Sequence, residues 1–203
     1  MRLIKLVQSM LFLCCFSFLN ADEIKLSDLE SISQADTMVM VPMRDGIRLA
    51  TDIYRPKDIN EDLPLIFIKT PYNFNEIRGA TLQWTHEAVK RGYAVAIQNE
   101  RGRYYSEGEW EILGNPRTDG FDALSWFTDQ SWSNGNVGTL GCSSSAEWQM
   151  ALASQDHPAH KAMVPMASGA GIGRVGEFYE QGNWFKGGCL LYTSPSPRDV
   201  EES

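Results

Sequence analysis

The stretch Val137-Gly138-Thr139-Leu140-Gly141-Cys142-Ser143-Ser144-Ser145-Ala146 constrains the fold more than any other. A short apolar strand runs into a tight, small-residue turn that carries serines. The helical stretch Glu147-Trp148-Gln149-Met150-Ala151-Leu152-Ala153 follows at once. Strand, sharp turn with serine, then helix is the arrangement that lifts a nucleophilic hydroxyl above a sheet. It implies serine-based acyl transfer and requires a strand buried beside other strands.

The surrounding pattern supplies those strands. Thr37 to Pro42 and Ile47 to Tyr54 flank Asp45-Gly46, a hairpin signal. Pro64 to Lys69 and Gly92 to Gln98 are nearly continuous apolar runs, as expected of strands covered on both faces. Helices are expected over Ala80 to Lys90 and Asp119 to Asp129, and a further strand over Lys161 to Met166. Alternating strands and helices predict an α/β fold with a mostly parallel sheet, the opening hairpin being its antiparallel edge.

The two ends read differently. Met1-Arg2-Leu3-Ile4-Lys5, then the apolar Met10 to Leu19, then Asn20-Ala21-Asp22, describe a signal peptide over 1–21. Its apolar part is shorter than the roughly 20 residues that cross a bilayer, so no stable membrane anchor is expected. The protein is expected to be exported, to the periplasm or beyond. Residues 22–36 read as a polar leader or irregular arm. Cys189-Leu190-Leu191-Tyr192-Thr193-Ser194-Pro195-Ser196-Pro197-Arg198-Asp199 resembles the translation of a transposase adapter used in sequencing libraries. Residues 189–203 are therefore read as an artefact, and 37–188 as the N-terminal part of a longer catalytic domain. Its sheet, cut at the C-terminus, is expected to leave an unpaired edge, and the piece alone to be inactive.

With 18 Lys and Arg against 26 Asp and Glu, the net charge is −8 and no dense basic patch stands out. Nucleic-acid binding is not expected. Of four cysteines, only Cys142 lies between the two ends, so no internal disulfide framework is expected. Cys142 is a possible nucleophile, but beside Ser143 at a sharp turn it is expected to pack as a small buried residue. No cluster of His, Asp and Glu has metal-ligand spacing, which argues against a metal-dependent hydrolase, and no cofactor is expected. Oligomeric state is not legible.

Three serines compete for the nucleophile role. Gly141 stands two residues before Ser143, as in G-x-S, whereas Ser144 and Ser145 suit the start of the following helix. All three as helix-start serines remains open on the local pattern alone. A nucleophilic serine needs a base and oxyanion donors. The backbone N–H of Ser144 would point into the same space, and Tyr72 lies just beyond the strand at 65–69, where a functional loop sits above a parallel sheet.

Five segments in order resemble the Xaa-Pro dipeptidyl-peptidase-like, cocaine-esterase-type (CocE/NonD) serine hydrolases: Arg44 to Pro56, Thr70-Pro71-Tyr72, Asn99 to Gly108, Asp119-Gly120 with Trp126, and Trp132 through the serine turn. The resemblance implies an α/β-hydrolase fold and hydrolysis of a small-molecule ester, amide or peptide. It implies Ser143 as nucleophile, with the Ser144 N–H and the Tyr72 hydroxyl as oxyanion donors. Arg101 and Glu107 would order a loop. Two departures stand out: Ser144 where the family has Tyr, and Ala146 where it has Gly.

The fold's triad order is Ser, then Asp or Glu, then His. The histidines are His86, His157 and His160. His86 precedes the serine and reads as a surface residue. His157 and His160 are expected at the opposite end of the sheet from Ser143. The acid and base are thus expected beyond residue 188. A non-catalytic binding protein on the same fold is the alternative.

Overall fold

In a computed structural model, residues 24–74, 77–110 and 118–167 are described in full, and four short strands between 173 and 190 as backbone. The expected signal peptide lies outside the described residues, as does most of the tail.

Six strands form one sheet in the order β1-β2-β4-β3-β5-β6. They are β1 (Ser33–Pro42), β2 (Arg48–Pro56), β3 (Leu63–Thr70), β4 (Ala94–Asn99), β5 (Ser133–Cys142) and β6 (His160–Met166). β1 and β2 pair antiparallel, as do β2 and β4, while β4, β3, β5 and β6 run parallel. The expected α/β architecture with an antiparallel opening hairpin is the one observed. All six residues of β4 are buried, which accounts for its unbroken apolar run.

The helices are α1 (Leu26–Ile32), α2 (Gly79–Lys90), α3 (Thr118–Thr128) and α4 (Ser144–Ala153). On one face of the sheet, Phe67 of β3 meets Phe127 of α3 and Trp148 of α4 edge-on, with ring centroids 5.0 and 5.1 Å apart. Such edge-to-face packing suits the aromatic quadrupole. On the other face, Leu29 of α1 and Leu82 and Val89 of α2 join a second cluster with Ile68, Val95 and Ile97.

The segment read as an irregular arm is, from Leu26, a helix followed directly by strand. Leu29 is wholly buried, with Ile32 packed beside it, and anchors that helix; a seven-residue segment with so short an apolar stripe gives too little periodicity to show in sequence. β1 also begins at Ser33 rather than Thr37. A register shift between Asp36 and Val39 breaks its alternation, with Met38 at φ +57°. The Asp52 carboxylate accepts the Met38 N–H at 2.8 Å across that bulge.

Among the described residues, β1 and β6 are the edge strands of the sheet. No helix there is long and apolar enough to cross a membrane.

Candidate active site

β5 delivers its last residues to the C-terminal edge of the parallel strands, where the β3–α2 loop also emerges. That is where open α/β sheets place their ligands. The chain turns at Ser143, whose backbone sits at φ +57°, ψ −132°. A non-glycine residue held there stores of order 1–3 kcal/mol of strain, and such strain gathers at functional positions. Two contacts hold it in place. The Ser143 N–H donates to the Met166 carbonyl at 2.9 Å, and the Ala146 N–H donates to the Ser143 carbonyl at 2.8 Å. Gly141 permits the turn, because a Cβ there would collide with the Ser145 carbonyl oxygen.

The three serines now separate. Ser143 is exposed, and its side chain makes no capping bond to α4. Ser144 is partly buried as the first residue of the helix, where its N–H lacks an intrahelical acceptor. Ser145 is 7% exposed, and its hydroxyl donates to Thr70 Oγ1 at 2.8 Å. Of the three, Ser143 is the most exposed, and Ser145 has its hydroxyl already engaged.

Tyr72 comes from the opposite wall. It is 51% exposed, and its hydroxyl lies 3.5 Å from Ser143 Oγ. Thr70 Oγ1 accepts the Tyr72 N–H at 3.1 Å, and the Asn99 amide donates to the Tyr72 carbonyl at 2.8 Å. A cavity of about 310 Å³ adjoins the pair, walled by Ile68, Phe74, Ile77 and Trp84. The structure thus brings Ser143, Ser144 and Tyr72 to one place.

Cys142 differs from expectation. It is exposed rather than packed. As the last residue of β5 it alternates with buried Gly141, so its side chain leaves the core.

None of the described histidines reaches Ser143. β6 starts at His160, opposite Val137, and ends at Met166, beside the turn. Six residues of strand, at roughly 3.3 Å each, put His160 about 20 Å away. His157 is buried at that far end. Its Nδ1 accepts the Ala159 N–H at 3.1 Å, and its Nε2 lies 3.1 Å from Ser125 Oγ. Ser125 Oγ donates to the Phe121 carbonyl, so the imidazole is neutral with its proton on Nε2. Burial pushes the His157 and His160 imidazoles below the usual histidine range. His86, read as a surface residue, is largely enclosed on α2, its side chain 15% exposed and 3.6 Å from Glu87.

One buried ionic group was missed in the sequence. Asp119, at the start of α3, is fully buried and accepts Arg101 Nε at 3.1 Å and Nη2 at 2.7 Å. Lys69, 1% exposed on β3, brings its Nζ within 3.7 Å of the same carboxylate. Arg101 also donates to Asp45 in the hairpin turn at 2.7 Å. Its guanidinium is held more basic than usual, chiefly by the Asp119 hydrogen bonds. Glu100, beside them, accepts the Trp110 indole N–H at 3.0 Å, and burial pushes its carboxyl above the usual range. Arg101 and Glu107 tie the segment that follows β4 to the opening hairpin, Arg101 through Asp45 and Glu107 through Arg48. The available signal was Lys69 itself, a charge inside a doubly covered strand, which requires a partner.

Among the described residues no group of His, Cys, Asp and Glu could hold a metal ion.

Comparison with known proteins agrees with this architecture. The chain is 40% identical over 141 residues to the cocaine esterase of a Rhodococcus species, covering 68% of this chain and 24% of that protein. It superposes on a CocE/NonD family hydrolase from Staphylococcus aureus with a TM-score of 0.59 at 27% identity, covering 66% of this chain and 27% of the other. An α-amino acid ester hydrolase gives a TM-score of 0.59 at 28% identity, covering 72% and 27%. The chain thus spans about a quarter of the length of these relatives. The fold is that of the α/β-hydrolases. The family model of the X-Pro dipeptidyl-peptidases (S15 family) matches residues 45–197, most of the 203, and the chain belongs to that family.

Proposed function

We propose that the protein carrying this chain is a serine hydrolase of small-molecule esters, amides or peptides, working through an acyl-enzyme on Ser143. The strained, exposed Ser143 with the Tyr72 hydroxyl 3.5 Å from its Oγ carries the proposal. Oγ attacks the substrate carbonyl carbon and passes its proton to a base. The carbonyl oxygen becomes an oxyanion between the Tyr72 hydroxyl and the Ser144 N–H, which stands at the positive end of α4. The leaving alcohol or amine departs with that proton, and water then hydrolyses the ester on Ser143 by the same route reversed.

The acid and base of the triad are assigned to sequence outside the described residues, since the described histidines lie elsewhere. The names of the relatives, an esterase and an amino acid ester hydrolase, support ester cleavage. Export through a cleaved signal peptide, to the periplasm or beyond, belongs to the same proposal and rests on residues 1–21.

Turnover of a nitrophenyl ester by the full-length gene product, beside Ser143→Ala, tests this. The expected loss is on the order of 10⁴-fold or more in kcat. Equal turnover by both proteins would refute it. No turnover by either would favour a binding protein on this fold.

A further inference from the structure

Tyr72 poses a physical problem. A donor aimed at a developing oxyanion must be held within about 0.5 Å of its working position. Yet half of Tyr72 faces solvent, so packing alone does not hold it.

The restraint is in the backbone on either side. The Thr70 hydroxyl accepts the Tyr72 N–H at 3.1 Å and the Ser145 hydroxyl at 2.8 Å. Both lone pairs of Thr70 Oγ1 are thereby used. The Asn99 amide donates to the Thr70 carbonyl at 3.3 Å and to the Tyr72 carbonyl at 2.8 Å, and the Glu100 N–H adds a bond to the Thr70 carbonyl at 2.9 Å. Thr70, Asn99 and Ser145 are all buried, where hydrogen bonds are electrostatically stronger than in water. Ser145 sits two residues after Ser143, in the first turn of α4. Its hydroxyl does not cap that helix; it crosses to the last residue of β3, from which the loop carrying Tyr72 departs.

We propose that Thr70 and Ser145 are positioning residues that lock Tyr72 over Ser143, the Thr70 hydroxyl being the joint between the helix that follows the nucleophile and the loop that carries the oxyanion donor. This rests on the reading of Ser143 and Tyr72 given above. Rotation of either element would otherwise change the gap between the two hydroxyls. With the joint made, nucleophile and donor move as one body.

The test uses the full-length gene product and a nitrophenyl ester. Tyr72→Phe sets the ceiling, since loss of one oxyanion donor costs about 10²–10³-fold in kcat. Ser145→Ala and Thr70→Val are expected to lower kcat by about 10–100-fold, the scale of a small misplacement, while KM stays within about twofold. Thr70→Ser keeps the hydroxyl and is expected to recover most of the loss. In the Tyr72→Phe background, Ser145→Ala is expected to add less than about twofold, because the group it positions is already gone.

A role confined to stability gives a different pattern: a lower melting temperature with kcat unchanged, or the same factor with and without the Tyr72 hydroxyl. Either result overturns the proposal. If Ser143→Ala retains turnover, the serine-hydrolase reading itself has failed. If Ser143→Ala is inactive but Tyr72→Phe is not impaired, Tyr72 is not a donor and the positioning role falls alone.

Discussion

Replacing Asp119 by alanine removes a carboxylate shared by two buried cations, Arg101 and Lys69. Arg101 loses a two-point hydrogen bond at 2.7 and 3.1 Å, and Lys69 loses an anion at 3.7 Å. Lys69 keeps the attraction of Glu100, and Arg101 keeps Asp45, whose side chain is 47% exposed. Breaking a buried pair costs about 3–5 kcal/mol, because the remaining charge stays desolvated. Against a domain stability of roughly 5–15 kcal/mol, that is a large fraction. At an m value of about 2 kcal/mol/M, the urea midpoint should fall by about 1.5–2.5 M. Tryptophan fluorescence of the full-length protein follows the transition, since Trp148 packs within this core. Asp45→Ala should move the midpoint far less, because solvent replaces the lost contact. Adding Lys69→Met to Asp119→Ala should restore part of the loss by removing one stranded charge. Equal shifts for Asp119→Ala and Asp45→Ala would refute the reasoning.

Gly141→Ala should abolish turnover, because the added methyl meets the Ser145 carbonyl and forces the serine turn apart; an active variant would show that the turn relaxes freely. The stability contributed by His157 and His160 should fall as pH drops below the ordinary histidine value of 6.5, because both have lowered values in the folded state. The unfolded chain then binds protons first, so stability present above 6.5 is lost as pH falls through the folded values. Urea midpoints between pH 7 and 5, compared with those of a His157→Gln, His160→Gln variant, check the sign: the variant should lose less on acidification, and an equal or larger loss would contradict it. Exposed Cys142 should react with iodoacetamide in the native protein, and Cys142→Ala should remain active; loss of activity on that change would bring back a cysteine nucleophile.

The alternation of buried strands and amphipathic helices was legible because each follows from local periodicity. Val95 and Ile97 on β4, or Leu124 and Phe127 on α3, show their burial in the sequence. The turn at Ser143 was legible too, since only small residues let strand and helix approach so closely. Contacts between distant positions were not. Ser145 reaches Thr70, 75 residues away, and Arg101 joins Asp45 across 56. No local pattern encodes such pairs. The Met38 bulge and the short helix at Leu26 were hidden for a related reason: each is fixed by tertiary contacts, the bulge from Asp52 and the helix through Leu29, Ile32 and Lys57. Exposure of Cys142 follows from strand alternation at the rim of the sheet, where packing no longer decides.

The central claim is that Ser143 is the nucleophile. A fluorophosphonate forms a stable bond to an activated serine and leaves a mass tag on it. Treating the full-length gene product and mapping the tag by peptide mass spectrometry tests the claim directly. The account predicts one adduct, on Ser143, absent in Ser143→Ala and much slower to form in Tyr72→Phe. An adduct on Ser144 or Ser145, or an unmodified turn in an enzyme that hydrolyses esters, would contradict it.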